Sequence, residues 1–119
     1  MSGNAIYRFK DTAVLSVSAA DAPIVVTSAE LDAQLLDTYE RLGLLPGMLE
    51  ALAGVVERRW WPEDVTFADA AAMAGAKALA EAGIDAKQVG LLIDTSVCRD
   101  HLEPSAAVDV HEQLGLGTA

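Results

Sequence analysis

An α/β layered sheet is the fold class that this sequence predicts, and three observations predict it. Two runs, 12–20 and 90–97, combine β-branched, small and aliphatic residues as strands do. An alanine-rich stretch of helical composition, 69–82, lies between them. Two threonine-led cap signals, Thr27-Ser28-Ala29-Glu30 and Thr66-Phe67-Ala68-Asp69, mark where helices begin.

Taken in order, the run 12–20 (TAVLSVSAA) suits a strand buried on both sides, and Asp21-Ala22-Pro23 closes it. The first cap signal precedes Leu31, Leu35, Tyr39 and Leu42 at helical spacing, which predicts a helix over 28–42. Pro46 suits the first turn of a short second helix through Met48 and Leu52, because its fixed φ is helical and its missing N–H is not needed there. Gly54 ends that helix. The run 55–61 (VVERRWW) has strand character, and Pro62 stops it. The alanine-rich helix stops at Gly83; so many alanines imply close packing against neighbours. The run 90–97 (GLLIDTSV) is continuously apolar before it turns polar, as in a central parallel strand. Pro104 then starts the last helix, 105–114.

Composition bounds the function. At 119 residues and 52 % hydrophobic the chain has the content of one small globular unit. Acidic residues recur so often that no run of about eighteen apolar residues exists, which predicts no membrane span. The first ten residues, MSGNAIYRFK, lack an apolar core and a cleavage site, so no leader peptide is predicted and the cytoplasm is the expected compartment. Eight Lys and Arg against 18 Asp and Glu give a net charge of −10, which repels a phosphate backbone and argues against nucleic acid. The single cysteine, Cys98, makes neither an internal disulfide nor a zinc motif, and no metal is expected.

In open α/β sheets, ligands gather where strands end and helices begin. The segment Asp94-Thr95-Ser96-Val97-Cys98-Arg99-Asp100-His101-Leu102-Glu103-Pro104-Ser105 is such a place and holds the densest set of reactive side chains. By position alone, Glu103 reads either as a functional carboxylate or as a helix N-terminal glutamate stabilised by the dipole. Cys98 beside His101 has the look of a nucleophile with its base.

The segment from Gly90 to Gly117, GLLIDTSVCRDHLEPSAAVDVHEQLGLG, resembles the third-strand region of the thiolase superfamily of condensing enzymes. The likeness is to ketoacyl synthase III and, more closely, to the OleA-type thiolases. It extends upstream through Val26 to Gly43, Ala53-Gly54-Val55-Val56-Glu57-Arg58-Arg59-Trp60 and Asp69-Ala70-Ala71. The resemblance implies the N-terminal part of the layered αβαβα fold over residues 1–119. It implies an acyltransferase that performs a Claisen-type condensation of fatty acyl-CoA thioesters, with coenzyme A as part of the substrate and no separate cofactor.

It also implies that Glu103 is a general base acting in the partner subunit's site, since ketoacyl synthase III usually has an apolar residue before the matching proline. The acylated cysteine of the family lies beyond one more strand. The chain is therefore expected to stop before its nucleophile, to be inactive alone, and to work as a homodimer or with a missing C-terminal part. Cys98 is then a packing residue, and His101 and His111 are loop and helix-surface residues. Arg58 and Arg59 form the densest basic patch and are candidates for steering the anionic coenzyme A. Two other readings stay open: a 3-oxoacyl-acyl-carrier-protein synthase III, and a non-catalytic dimerisation or binding fragment of the same fold.

Overall fold

The computed structural model describes residues 9–118, so most of the N-terminal stretch read for a leader lies outside the described residues. The elements are β1 (Ile24–Thr27), α1 (Ser28–Gln34), α2 (Leu36–Leu42), α3 (Met48–Ala53), β2 (Glu57–Trp60), α4 (Phe67–Ala82) and α5 (Ala106–Gln113). A 3-10 turn, Ala86–Gln88, follows α4.

The two strands pair antiparallel, with Ile24 opposite Trp60 and Thr27 opposite Glu57. At Thr27 the chain turns directly into α1 through the capping box that the sequence announces. The Glu30 amide donates to Thr27 Oγ1 at 3.1 Å, and the Thr27 amide donates to Glu30 Oε2 at 2.7 Å. These bonds satisfy amides that the first helical turn leaves without partners. They also favour the charged carboxylate, so the Glu30 carboxyl titrates below its ordinary value. Ser28 is 1 % exposed, donates its amide to the Val56 carbonyl at 2.9 Å, and donates its hydroxyl to the Val55 carbonyl.

The continuous helix expected over 28–42 is broken at Leu35, where φ −98° and ψ 3° leave the helical region. Tertiary bonds hold the bend. Asp32, 6 % exposed, accepts from the Tyr39 hydroxyl at 2.6 Å and from the Gly47 amide at 2.7 Å. One carboxylate thus ties α1, α2 and the turn before α3 together. The hydrogen bond to Asp32, followed by burial and the carboxylate's charge, raises the Tyr39 phenol above its ordinary value. Its contribution to stability is full below the ordinary tyrosine value of about 10 and is lost as pH rises through the raised one. Tyrosinate absorbance at alkaline pH is expected to show one late-titrating phenol that returns to the ordinary range in Asp32→Ala; simultaneous ionisation of all phenols in the folded chain would contradict the bond.

The alanine-rich helix α4 matches its sequence signals closely. Thr66 and Asp69 form the second capping box, which lowers the Asp69 carboxyl, and Gly83 closes the helix at φ 66°. A left-handed φ of this kind is what glycine supplies at a C-terminal stop. α4 packs on α5 through Ala68, Ala72 and Val110, with Ala71, Leu92 and Leu114 around them. Gly75 sits inside α4 at a cost of about 1 kcal/mol against alanine. Its reason is contact: a Cβ there would stand 3.0 Å from Leu114 Cδ1.

The two runs expected as central strands, 12–20 and 90–97, carry no ladder bonds. A ladder needs a second strand alongside, and no described segment pairs with either run. The run 12–20 instead lies along α4: the Ser16 hydroxyl donates to the Ala78 carbonyl at 2.8 Å, and Lys77 Nζ donates to the Ala19 carbonyl at 3.0 Å. Both runs keep a period of two. Ser16, Ser18 and Ala20 are half-buried, as are Leu92, Asp94 and Ser96, while Val17 (87 % exposed), Leu91, Ile93 and Val97 (93 %) face outward. An apolar outer face is what a doubly covered strand presents before its second cover is in place.

The Cα radius of gyration is 19.6 Å. A compact domain of this length has about 13.5 Å, so the described chain is spread out, not closed around one core.

Candidate active site

Between the end of the run 90–97 and the start of α5 lies an open cavity of about 190 Å³, lined by Asp94, Ser96, Arg99, Leu102, Glu103, Ser105 and Ala106. The sequence segment singled out for its reactive side chains therefore does form one site. Asp94 is occupied structurally: Oδ1 accepts from the Ser96 amide at 3.0 Å and Oδ2 from the Ser96 hydroxyl at 2.8 Å. That local ring fixes the turn at the strand end, as Asx side chains do.

Glu103 stands in the loop before α5, exposed, with no hydrogen bond or ion pair among the described residues. Helix α5 begins two residues beyond Pro104, not at it, because Ser105 serves as the cap and accepts from the Ala107 amide at 3.4 Å. Glu103 is thus outside the helix, and a carboxylate serving the dipole would sit within the first turn. Arg99 is the basic residue of the cavity lining.

Cys98, expected as a packing residue, is exposed instead. The chain has left the α4–α5 layer by that point, and nothing described covers it. His101 is a loop residue, as expected, and its Nε2 lies 3.3 Å from Asp109 Oδ2. His111 is on α5.

Arg58 and Arg59 lie on β2 and do not line the Glu103 cavity. Arg58 Nη1 donates to the Ser28 hydroxyl at 3.4 Å, Arg59 Nη1 to the Ala22 carbonyl at 3.5 Å, and Arg59 is 3.8 Å from the Glu57 carboxylate. Each guanidinium has five N–H donors, so these contacts leave donors over for an anion.

The Asp32–Tyr39–Gly47 bonds, the burial of Ser28 and the His101–Asp109 contact were not read from the sequence. For Asp32 a signal exists: an acid one position after Leu31, on the inward side of a helix and seven residues before a tyrosine, is placed to need a buried donor.

No family model matches the chain. Individual proteins do. The chain is 44 % identical over 108 residues to an acyl-CoA:acyl-CoA alkyltransferase of Xanthomonas campestris, a match that takes in 91 % of this chain and 32 % of that protein. The crystal structure of acetamide-bound Xanthomonas campestris OleA superposes with a TM-score of 0.79 at 44 % identity, over 87 % of this chain and 32 % of that one. The chain belongs to the thiolase superfamily of condensing enzymes. Its fold is the N-terminal part of the thiolase-like architecture. A 3-oxoacyl-(acyl carrier protein) synthase III from Xanthomonas oryzae superposes equally well, with a TM-score of 0.79 at 45 % identity over 87 % of this chain and 31 % of that one. The chain spans about a third of the length of these thiolase-superfamily relatives. No helix among the described residues is long and apolar enough to cross a membrane.

Proposed function

We propose that the chain is the front part of an acyl-CoA condensing enzyme, which joins two fatty acyl-CoA molecules in a Claisen-type reaction to a β-ketoacyl product. The observation that supports this best is Glu103, placed free of partners at the mouth between the run 90–97 and α5. Claisen chemistry needs a proton removed beside a thioester carbonyl, and a positioned carboxylate can remove it. In the chain itself Glu103 meets water. The dry surroundings that make a carboxylate a better base come from further polypeptide, a partner subunit in a homodimer or a C-terminal part of the fold. That further polypeptide also supplies the acylated cysteine, so residues 1–119 form the portion of the domain before the nucleophile. Arg58 and Arg59 steer coenzyme A through their unused donors. Coenzyme A enters as part of the substrate, no other cofactor or metal takes part, and the cytoplasm is the place of action.

The likeness to a 3-oxoacyl-(acyl carrier protein) synthase III favours a second reading, with an acyl carrier protein as one substrate. Glu103 supports the first, since the resemblance implies that the synthase III branch usually has an apolar residue before the matching proline. A non-catalytic dimerisation fragment of the fold is the third.

A chimera separates them. With this chain replacing the matching first third of an acyl-CoA:acyl-CoA alkyltransferase, long-chain acyl-CoA is expected to release coenzyme A and yield β-ketoacid. The chain alone, incubated with the same substrate, is expected to keep its unmodified mass. A folded chimera that releases no coenzyme A, or an acyl adduct mapping to Cys98 of the isolated chain, would overturn the reading.

A further inference from the structure

We infer that His101 is a positioning residue for Glu103, acting through Asp109, on the reading that Glu103 is the condensation base. Two consecutive residues of the loop reach to two different helices. Asp100 Oδ1 accepts from the amide of Phe67, the first residue of α4, at 3.5 Å. His101 Nε2 lies 3.3 Å from Oδ2 of Asp109, in the first turn of α5. One short loop thus contacts both helices through neighbouring side chains.

The His101 contact is the decisive half. Nε2 is closed off from solvent and out of line for a full hydrogen bond. A polar nitrogen in that condition calls for an explanation, because an unmade bond in a closed space is costly. The surrounding cavity supplies one: Thr66, Asp69, Asp100, Asp109, Glu112 and Gln113 line it with His101. Four carboxylates, Asp69, Asp100, Asp109 and Glu112, stand on that wall beside the apolar Ala68, so an N–H donor there has acceptors facing it. Asp109 Oδ2 is within reach of a small ring rotation, and closing that bond pins the loop two residues before Glu103. A base has to be held to within about 0.5 Å of its working place, and a displacement of about 1 Å can cost on the order of 10²-fold in rate.

Backbone ¹⁵N order parameters over 99–103, measured on the 119-residue chain, test the clamp. The wild-type loop is expected near the rigid value of about 0.85, and His101→Phe and Asp109→Ala each to fall below about 0.6. The double variant falls no further, since both substitutions break one link. His101→Gln, which keeps an N–H donor, is expected to recover most of the order. Should His101→Phe disturb α4, Asp109→Ala decides alone, because it places a strong helix former in α5. A wild-type loop already below about 0.6, an unmoved loop in Asp109→Ala, or additive losses in the double variant would each overturn the clamp. These measurements involve no turnover. A Glu103 that proves dispensable for condensation leaves them unaffected, and their failure leaves the base reading to its own assay.

Discussion

Glu103→Gln, placed in the chimera described above, is expected to slow carbon–carbon bond formation by roughly 10²-fold or more while the first release of coenzyme A continues. A factor of about 10² corresponds to about 2.7 kcal/mol of transition-state stabilisation, the usual scale for a positioned base. The two steps separate because acyl transfer to a cysteine does not need the carboxylate, whereas deprotonation beside the second thioester does. Glutamine keeps the size and polarity of the side chain and removes only its basicity. Coenzyme A release in the first turnover and β-ketoacid formation are followed independently. Equal slowing of both would assign Glu103 a structural role, and undiminished condensation would remove it from the mechanism.

The second large effect concerns stability. Asp32→Ala is expected to destabilise the α1–α3 region by about 3 kcal/mol, since it strands the Tyr39 hydroxyl and the Gly47 amide, two donors that each cost about 1–3 kcal/mol when left unpaired. Both bonds are short, 2.6 and 2.7 Å, and the carboxylate that accepts them is 6 % exposed. Urea unfolding followed by the fluorescence of Trp60 and Trp61 reads this, because β2 pairs with the strand that leads into α1. Asp32→Asn should fall between, as its carbonyl accepts one bond while its amide opposes the other donor. An unchanged midpoint in Asp32→Ala would show that water replaces the carboxylate without loss.

What could be read in advance follows from how far each determinant lies along the chain. The Thr66–Asp69 box and the Gly83 stop bracket α4 within one turn at each end, so the helix was legible from local chemistry. The break at Leu35 was not. It accompanies a bond from Gly47 to Asp32, fifteen residues apart, that no periodicity encodes. The runs 12–20 and 90–97 were recognisable as strand material and keep a strand's alternation, but a ladder belongs to two segments at once. Likewise the site: the place of Glu103 after a strand and before a helix was visible from Val97 and Pro104. The His101–Asp109 contact was not, since it depends on how α5 faces the loop.

The outward apolar row of Leu91, Ile93 and Val97 has a consequence for the cell that makes this chain. Uncovered extended segments of this kind recruit holdase chaperones and invite strand-to-strand association between copies. Until a covering layer is in place, that row leaves the extended segment open to pairing. Polar replacements along that row would lengthen its survival alone while spoiling the surface on which the finished sheet closes.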